Sequence, residues 1–325
     1  MARRTTPILV AVLTALITGC VAPGTPAGED TGLGGVFERR QLFGAFLGSD
    51  AEGVRRIPGF EEFLGGVDTE VGHTYLPGEG WTDVEGPDYI LDPWAEWQRQ
   101  NPDDLFVLNV PMADRNEADL PDEEVAELLR RGRAGEFDHH FTLLGERLVE
   151  RGLGRAVIVP GWEMNGETYS HRCGPDPEAW QGYFRNVVTA MRAVPGQDFR
   201  FDFTVNRGTD DVDWTSCYPG DDVVDIIGMD TYDQGPGRTF DDFVEQPLGL
   251  REHADFAAAR GKPVSFPEWG LFRNGDNPEF IRRMHDWIAS QDTVYSTLTD
   301  YCPHGVFWCT DNPRSAEVFR ELFGS

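Results

Sequence analysis

The chain has 325 residues, 40% of them hydrophobic, and sets 28 basic against 56 acidic residues for a net charge of −28. So acidic a chain argues against nucleic acid as a partner, and its length suits one large domain or two small ones.

The first element is a targeting segment. Arg3 and Arg4 precede an apolar stretch over residues 8–17 that is too short to span a bilayer, and Ile17-Thr18-Gly19-Cys20 closes it with small residues before a cysteine. This ending resembles a bacterial lipobox. The resemblance implies a signal peptide over 1–19, lipidation of Cys20, a flexible linker over 20–38, and a domain over 39–325 held outside the bacterial cell membrane by its lipid anchor. An ordinary secretory signal with an incidental cysteine is the alternative.

Eight short apolar or β-branched runs follow, at residues 42–47, 69–75, 105–110, 156–162, 200–205, 223–229, 263–268 and 305–309. Helical spacing fills several gaps between them. Pro121 opens a helix over 122–131 that Gly132 ends, Asp176-Pro177 caps one whose face is Trp180, Tyr183, Phe184, Val187, Val188 and Met191, and Asn277-Pro278 opens another. Strands buried on both faces alternating with amphipathic helices predict an α/β fold, a single-domain (β/α)8 TIM barrel, with an open doubly wound sheet as runner-up. No glycine-rich phosphate fingerprint follows the first strand. Lys262, the only lysine, precedes the seventh strand, the wrong end of a barrel for Schiff-base chemistry.

With Cys20 assigned to lipid, Cys173, Cys217, Cys302 and Cys309 remain in a disulfide-permissive setting. Three pairings are possible. Cys173 with Cys217 and Cys302 with Cys309 is favoured, because each pair joins neighbouring loops or closes a short one. The histidines show no metal-ligand spacing and no CxxC or HxH occurs, so neither a metal nor another cofactor is expected.

In a barrel the C-terminal strand ends converge on one face, and reactive residues collect there. The fourth strand ends in Trp162-Glu163-Met164-Asn165-Gly166 and the seventh in Pro267-Glu268-Trp269-Gly270, so two glutamates face one another across the mouth. Paired strand-tip carboxyls suit glycoside hydrolysis, in which one protonates the leaving oxygen and the other meets the anomeric carbon. Trp162, Tyr169, Trp269, Trp308 and Trp214 offer flat faces for sugar rings. Asn165, Asn206 and Asp230 offer hydroxyl partners, and Trp81, Trp94 and Trp97 can extend a groove.

Glu163-Met164-Asn165-Gly166 resembles the acid/base segment of glycoside hydrolase family 26. The resemblance implies a retaining enzyme with Glu163 as acid/base and Glu268 as nucleophile. Tyr232, in Gly228-Met229-Asp230-Thr231-Tyr232-Asp233, matches the tyrosine that hydrogen-bonds the nucleophile. It further implies a β-linked oligo- or polysaccharide as partner and an endo-β-1,4-mannanase-like activity. Alternatives are a β-glucanase or xylanase, or a carbohydrate-binding lipoprotein that does not hydrolyse. Two positions depart from the family: Trp162 stands where a histidine commonly precedes the acid/base, and Asn109 where mannanases place a histidine near the third strand end.

Overall fold

The computed structural model describes residues 41–324. The expected signal peptide, the linker and Cys20 lie outside the described residues.

Eight parallel strands close a barrel in chain order. They are β1 (Leu42–Phe46), β2 (Val71–Tyr75), β3 (Leu105–Val110), β4 (Val157–Pro160), β5 (Arg200–Asn206), β6 (Ile226–Asp233), β7 (Val264–Leu271) and β8 (Thr293–Thr299). The helices are α1 (Ala51–Phe63), α2 (Trp81–Val84), α3 (Asp88–Gln100), α4 (Asp122–Arg133), α5 (Asp138–Glu150), α6 (Pro177–Arg192), α7 (Phe240–Glu245), α8 (Leu250–Ala258), α9 (Pro278–Ser290) and α10 (Pro313–Phe323). Local chemistry sets several helix starts. Asp176 accepts from the Ala179 N–H at 3.1 Å, a cap of a kind that contributes about 1 kcal/mol, and α6 then buries Trp180, Tyr183, Phe184, Val187, Val188 and Met191.

Alternation along each strand divides the apolar residues into two clusters. Leu42, Val71, Leu105, Val107, Val157, Val159 and Ile226 fill the barrel interior, while Phe106, Leu108, Ile158, Phe201, Phe203 and Phe266 pack outward under the helices. Polar groups share the interior, and several are paired. His73 lies 2.9 Å from both Thr297 Oγ1 and Asn109 Oδ1, and Asp202 accepts from Ser265 Oγ at 2.5 Å and from the Tyr295 hydroxyl at 2.8 Å. Burial lowers His73 to about 4 and raises Asp202 to about 6.

The eighth strand is the main correction to the expected elements. It is Thr293–Thr299, not residues 305–309, which belong to the loop after it. The run Thr-Val-Tyr-Ser-Thr-Leu-Thr carries hydroxyls because its inner face meets the polar interior, and that hides the apolar signal. In the loop beyond, the Asp300 carboxylate accepts the Val306, Phe307 and Trp308 N–H groups, and Cys302 is bonded to Cys309.

Candidate active site

The tip of β7 presents Glu268 inward. Its backbone N–H donates to Asp230 Oδ1 at 2.9 Å, and the Tyr232 hydroxyl donates to Glu268 Oε2 at 2.6 Å while meeting Thr299 Oγ1 at 2.7 Å. Asp230 and Tyr232 share the inner face of β6 because they are two residues apart. A second hydroxyl reaches Glu268 from Tyr75 at the end of β2. The sequence places Tyr75 at the end of the second strand beside His73, and its two-residue spacing from that inward-facing histidine brings it to the mouth.

The tip of β4 is irregular. Gly161 has φ +59°, and Glu163 itself takes φ +51°, a left-handed conformation uncommon for a side chain with a Cβ and costly unless the surroundings impose it. They do. The Glu163 N–H donates to Thr204 O at 3.0 Å, and the Cys173 N–H donates to Met164 O at 2.7 Å. Asn165 is fully buried and its amide is spent on backbone, accepting from the Asn206 N–H at 2.8 Å and donating to Asn206 O at 2.9 Å. Cys173–Cys217, with Cα atoms 6.2 Å apart, ties the same loop to the short 3-10 turn Trp214–Cys217.

A cleft of about 570 Å³ opens at this face, lined by Tyr75, Trp162, Tyr169, Glu268, Thr299 and Tyr301 together with residues of the loops after β1, β2 and β3. Among the described lining residues Arg56 alone is basic, against Asp50, Glu52, Glu79, Glu117 and Glu268. The Trp162 indole donates to the Tyr169 hydroxyl at 3.1 Å and meets the Tyr75 ring edge-on at 5.6 Å.

Burial and neighbouring charge act differently on the carboxyls. Burial, then the charges of Glu268 and Asp210, hold Glu163 well above the usual carboxyl range. Glu268 is raised by burial as well, but the hydroxyls of Tyr232 and Tyr75 oppose the rise. Hydroxyl donors therefore favour the charged form of Glu268, while burial and like charge favour the neutral form of Glu163. Asp230 is also raised well above its ordinary value, by burial first and then by Glu268 and Glu163.

Several expected contacts are corrected. Trp269 is fully buried on the outer face of β7, its ring 6.0 Å from those of Phe319 and Phe323, because the residue after an inward-facing strand glutamate points outward. Trp94, Trp97 and Trp214 are core residues too, and Trp81 stacks on His140 with ring centroids 4.3 Å apart. Trp308 is 52% exposed, with the Arg56 guanidinium 4.1 Å from its ring centroid on one face. Asn165 binds loop backbone, and Asp230 lies beneath Glu268 and fixes that residue's backbone. Asn206 is partly exposed and gives its amide to Asp210 Oδ2 at 2.7 Å. Cys302, Cys309 and Asp311 form the one group within metal-ligating reach among the described residues, and its two sulfurs are joined in a disulfide rather than free as thiolates. The exposed Tyr301 on the cleft wall had no signal in the sequence, since its loop was read as leading into a strand.

The profile of glycosyl hydrolase family 26 matches residues 157–265. That segment runs from β4 to the start of β7, carries Glu163 and Tyr232, and stops short of Glu268. No curated protein matches the chain. Among solved structures, the Bacillus subtilis mannanase man26 is 17% identical with a TM-score of 0.63 over 92% of this chain and 93% of that one. A modular endo-β-1,4-mannanase from Cellulomonas fimi is 18% identical, TM-score 0.66, over 91% and 74%. A GH26 β-mannanase from Bacteroides ovatus is 15% identical, TM-score 0.63, over 88% and 89%. At such identities the structures establish the shared barrel, and the profile match supports kinship with family 26 across the strands that carry Glu163, Asp230 and Tyr232.

Proposed function

We propose that the chain is a retaining glycoside hydrolase of the family 26 kind, acting on a β-linked polysaccharide with an endo-β-1,4-mannanase-like activity. The observation that carries this reading is the unequal treatment of two carboxyls at one cleft: hydroxyl donors favour the charged form of Glu268, while burial and like charge favour the neutral form of Glu163.

Glu268 attacks the anomeric carbon and forms a glycosyl ester as Glu163 delivers its proton to the departing oxygen. Esterification removes the Glu268 charge, one of the causes that hold Glu163 protonated. Glu163, now a carboxylate, then takes a proton from water as that water attacks the anomeric carbon and the bond from that carbon to the Glu268 oxygen breaks, which frees the sugar with its configuration retained and restores both groups. The profile match and the mannanase likenesses support the substrate class, and Trp162 beside the acid marks where this chain departs from the family pattern.

The test is release of reducing ends from β-mannan, β-glucan and xylan by the intact chain and by Glu163→Ala and Glu268→Ala, with the anomer first released read by proton NMR. Turnover of β-mannan with retention, lost in both variants, is expected. Binding without turnover in all three proteins would leave a carbohydrate-binding protein. Chelator-sensitive turnover surviving both substitutions would mean a metal-dependent hydrolase.

We further propose that Cys20 carries a lipid anchor, on the strength of the basic, apolar and small-residue order around residues 3–20. Cys20→Ala should move the protein from the membrane fraction to the soluble one, and an unchanged partition would reject the anchor.

A further inference from the structure

The loop after β5 packs against the segment that carries Glu163, and one side chain in it has no part in the chemistry derived above. Asp210 takes a left-handed backbone conformation, φ +47°, and its Oδ2 accepts from the Asn206 side-chain amide at 2.7 Å. That oxygen rests on Gly166: a Cβ placed there would lie 2.8 Å from Asp210 Oδ2 and 3.5 Å from Glu163 O. The next two residues complete the seam, since the N–H groups of Asp211 and Val212 donate to Asn165 O at 3.0 and 3.1 Å. The carboxylate of exposed Asp210 is thus built into the turn of the acid/base through backbone and side-chain bonds, and only a residue without a side chain at 166 leaves room for it.

We propose that Asp210 is a positioning residue for Glu163, acting through its charge and its seat on Gly166 to keep the acid/base in its proton-donating form. The inference rests on the reading of Glu163 as the acid. Glu163 faces Glu268 from β7, Asp230 from β6, Asp210 from the loop after β5, Tyr169 from its own loop and Tyr301 from the loop after β8. None of these is cationic. Glu268 loses its charge in the covalent intermediate, whereas no bond to Asp210 forms or breaks in either step. Its bias therefore keeps the proton on Glu163 before attack, makes that proton harder to give, and helps Glu163 take one from water in the second step.

The experiment titrates Glu163 directly, by carbon NMR of the full chain labelled at glutamate carboxyls, with Glu163→Gln to assign the signal. Asp210→Asn keeps an acceptor for Asn206 and removes the charge. Its Glu163 midpoint should move to lower pH, and the basic limb of kcat/KM should move with it. Gly166→Ala, which displaces the carboxylate without neutralising it, should shift both in the same direction. Asp211→Asn is the control: its carboxylate faces Gly174, with Oδ2 2.7 Å from a Cβ placed there, and the Glu163 midpoint should stay put. An unmoved midpoint in folded Asp210→Asn or Gly166→Ala, checked by thermal melting, overturns the proposal. Because the NMR midpoint needs no turnover, a shift without hydrolysis of any glycan would sink the glycosidase reading alone, and hydrolysis without a shift would sink this one alone.

Discussion

The tips of β4 and β7 each set a tryptophan beside a glutamate, and the two come out differently. On β7 the strand continues through Glu268, so Glu268 faces the cleft and Trp269 is driven outward into the layer under α10. On β4 the strand stops at Pro160, and a left-handed turn then brings both Trp162 and Glu163 to the mouth. Although its pairing register slips on both sides at this point, β7 keeps Glu268 within reach of donors from neighbouring strands, which suits a carboxylate that stays charged. The broken geometry at Glu163 gives it an indole wall and like charges, which suits a carboxyl that keeps its proton. One motif on two backbones thus gives unequal electrostatics, since burial raises both carboxyls and hydroxyl donors oppose the rise at Glu268.

Removing each glutamate tests the comparison most severely. Glu268→Ala should cost turnover on the order of 10⁴-fold or more, since no other group can form the ester. Glu163→Ala should cost roughly 10²- to 10⁴-fold on natural glycans, and much less on aryl glycosides whose leaving group needs no proton. Equal losses on both kinds of substrate would remove the acid role.

The tryptophans should separate in the same way. Trp269→Ala should lower stability by about 3–5 kcal/mol, as for other buried aromatic truncations, with KM unchanged in the folded fraction. Trp162→Phe should alter kcat/KM with little effect on melting. A KM response at Trp269 would mean that the ring reaches the cleft after all.

Tyr232→Phe deletes a charge-assisted hydrogen bond, a kind of contact worth about 1.5–3 kcal/mol, so kcat/KM should fall roughly 10- to 100-fold. The acidic limb of its pH profile should move to higher pH, because Glu268 then loses a donor that favours its charge. An unchanged limb would confine Tyr232 to packing.

The smallest effect has the opposite sign. Glu163 binds its proton more tightly when folded, so its contribution to stability is complete below its unfolded pKa and is lost as pH rises through the folded one. Glu163→Gln should therefore melt slightly higher than the parent at neutral pH, and the gain should vanish in acid. A lower melting temperature at neutral pH would show that the charged form is stabilised in the fold.

Much of the barrel was legible because seven strands are apolar runs bounded by turn residues, and because Asp176-Pro177 and Asn277-Pro278 announce helix starts. The eighth strand was not, since a strand facing a hydroxyl-lined interior loses its apolar signature. Within the site, alternation brings Tyr75 to the mouth with His73, but it fails at Trp269: Phe266 and Trp269 both pack outward because the register of β7 slips between them, which no residue count reveals. The cleft wall at Tyr301 depends on a loop held by Asp300 and a disulfide, and no local pattern encodes it.

What the sequence determined by itself is the order of elements and which strand ends carry carboxyls, because periodicity and caps act over a few neighbouring residues. Only the tertiary structure shows which carboxyl is met by hydroxyl donors and which by like charges, and that Asp210, 47 residues after Glu163 in the chain, rests on the turn that carries Glu163. Charge and desolvation act through space, and the distances that matter are set by how the loops after β4 and β5 are laced together.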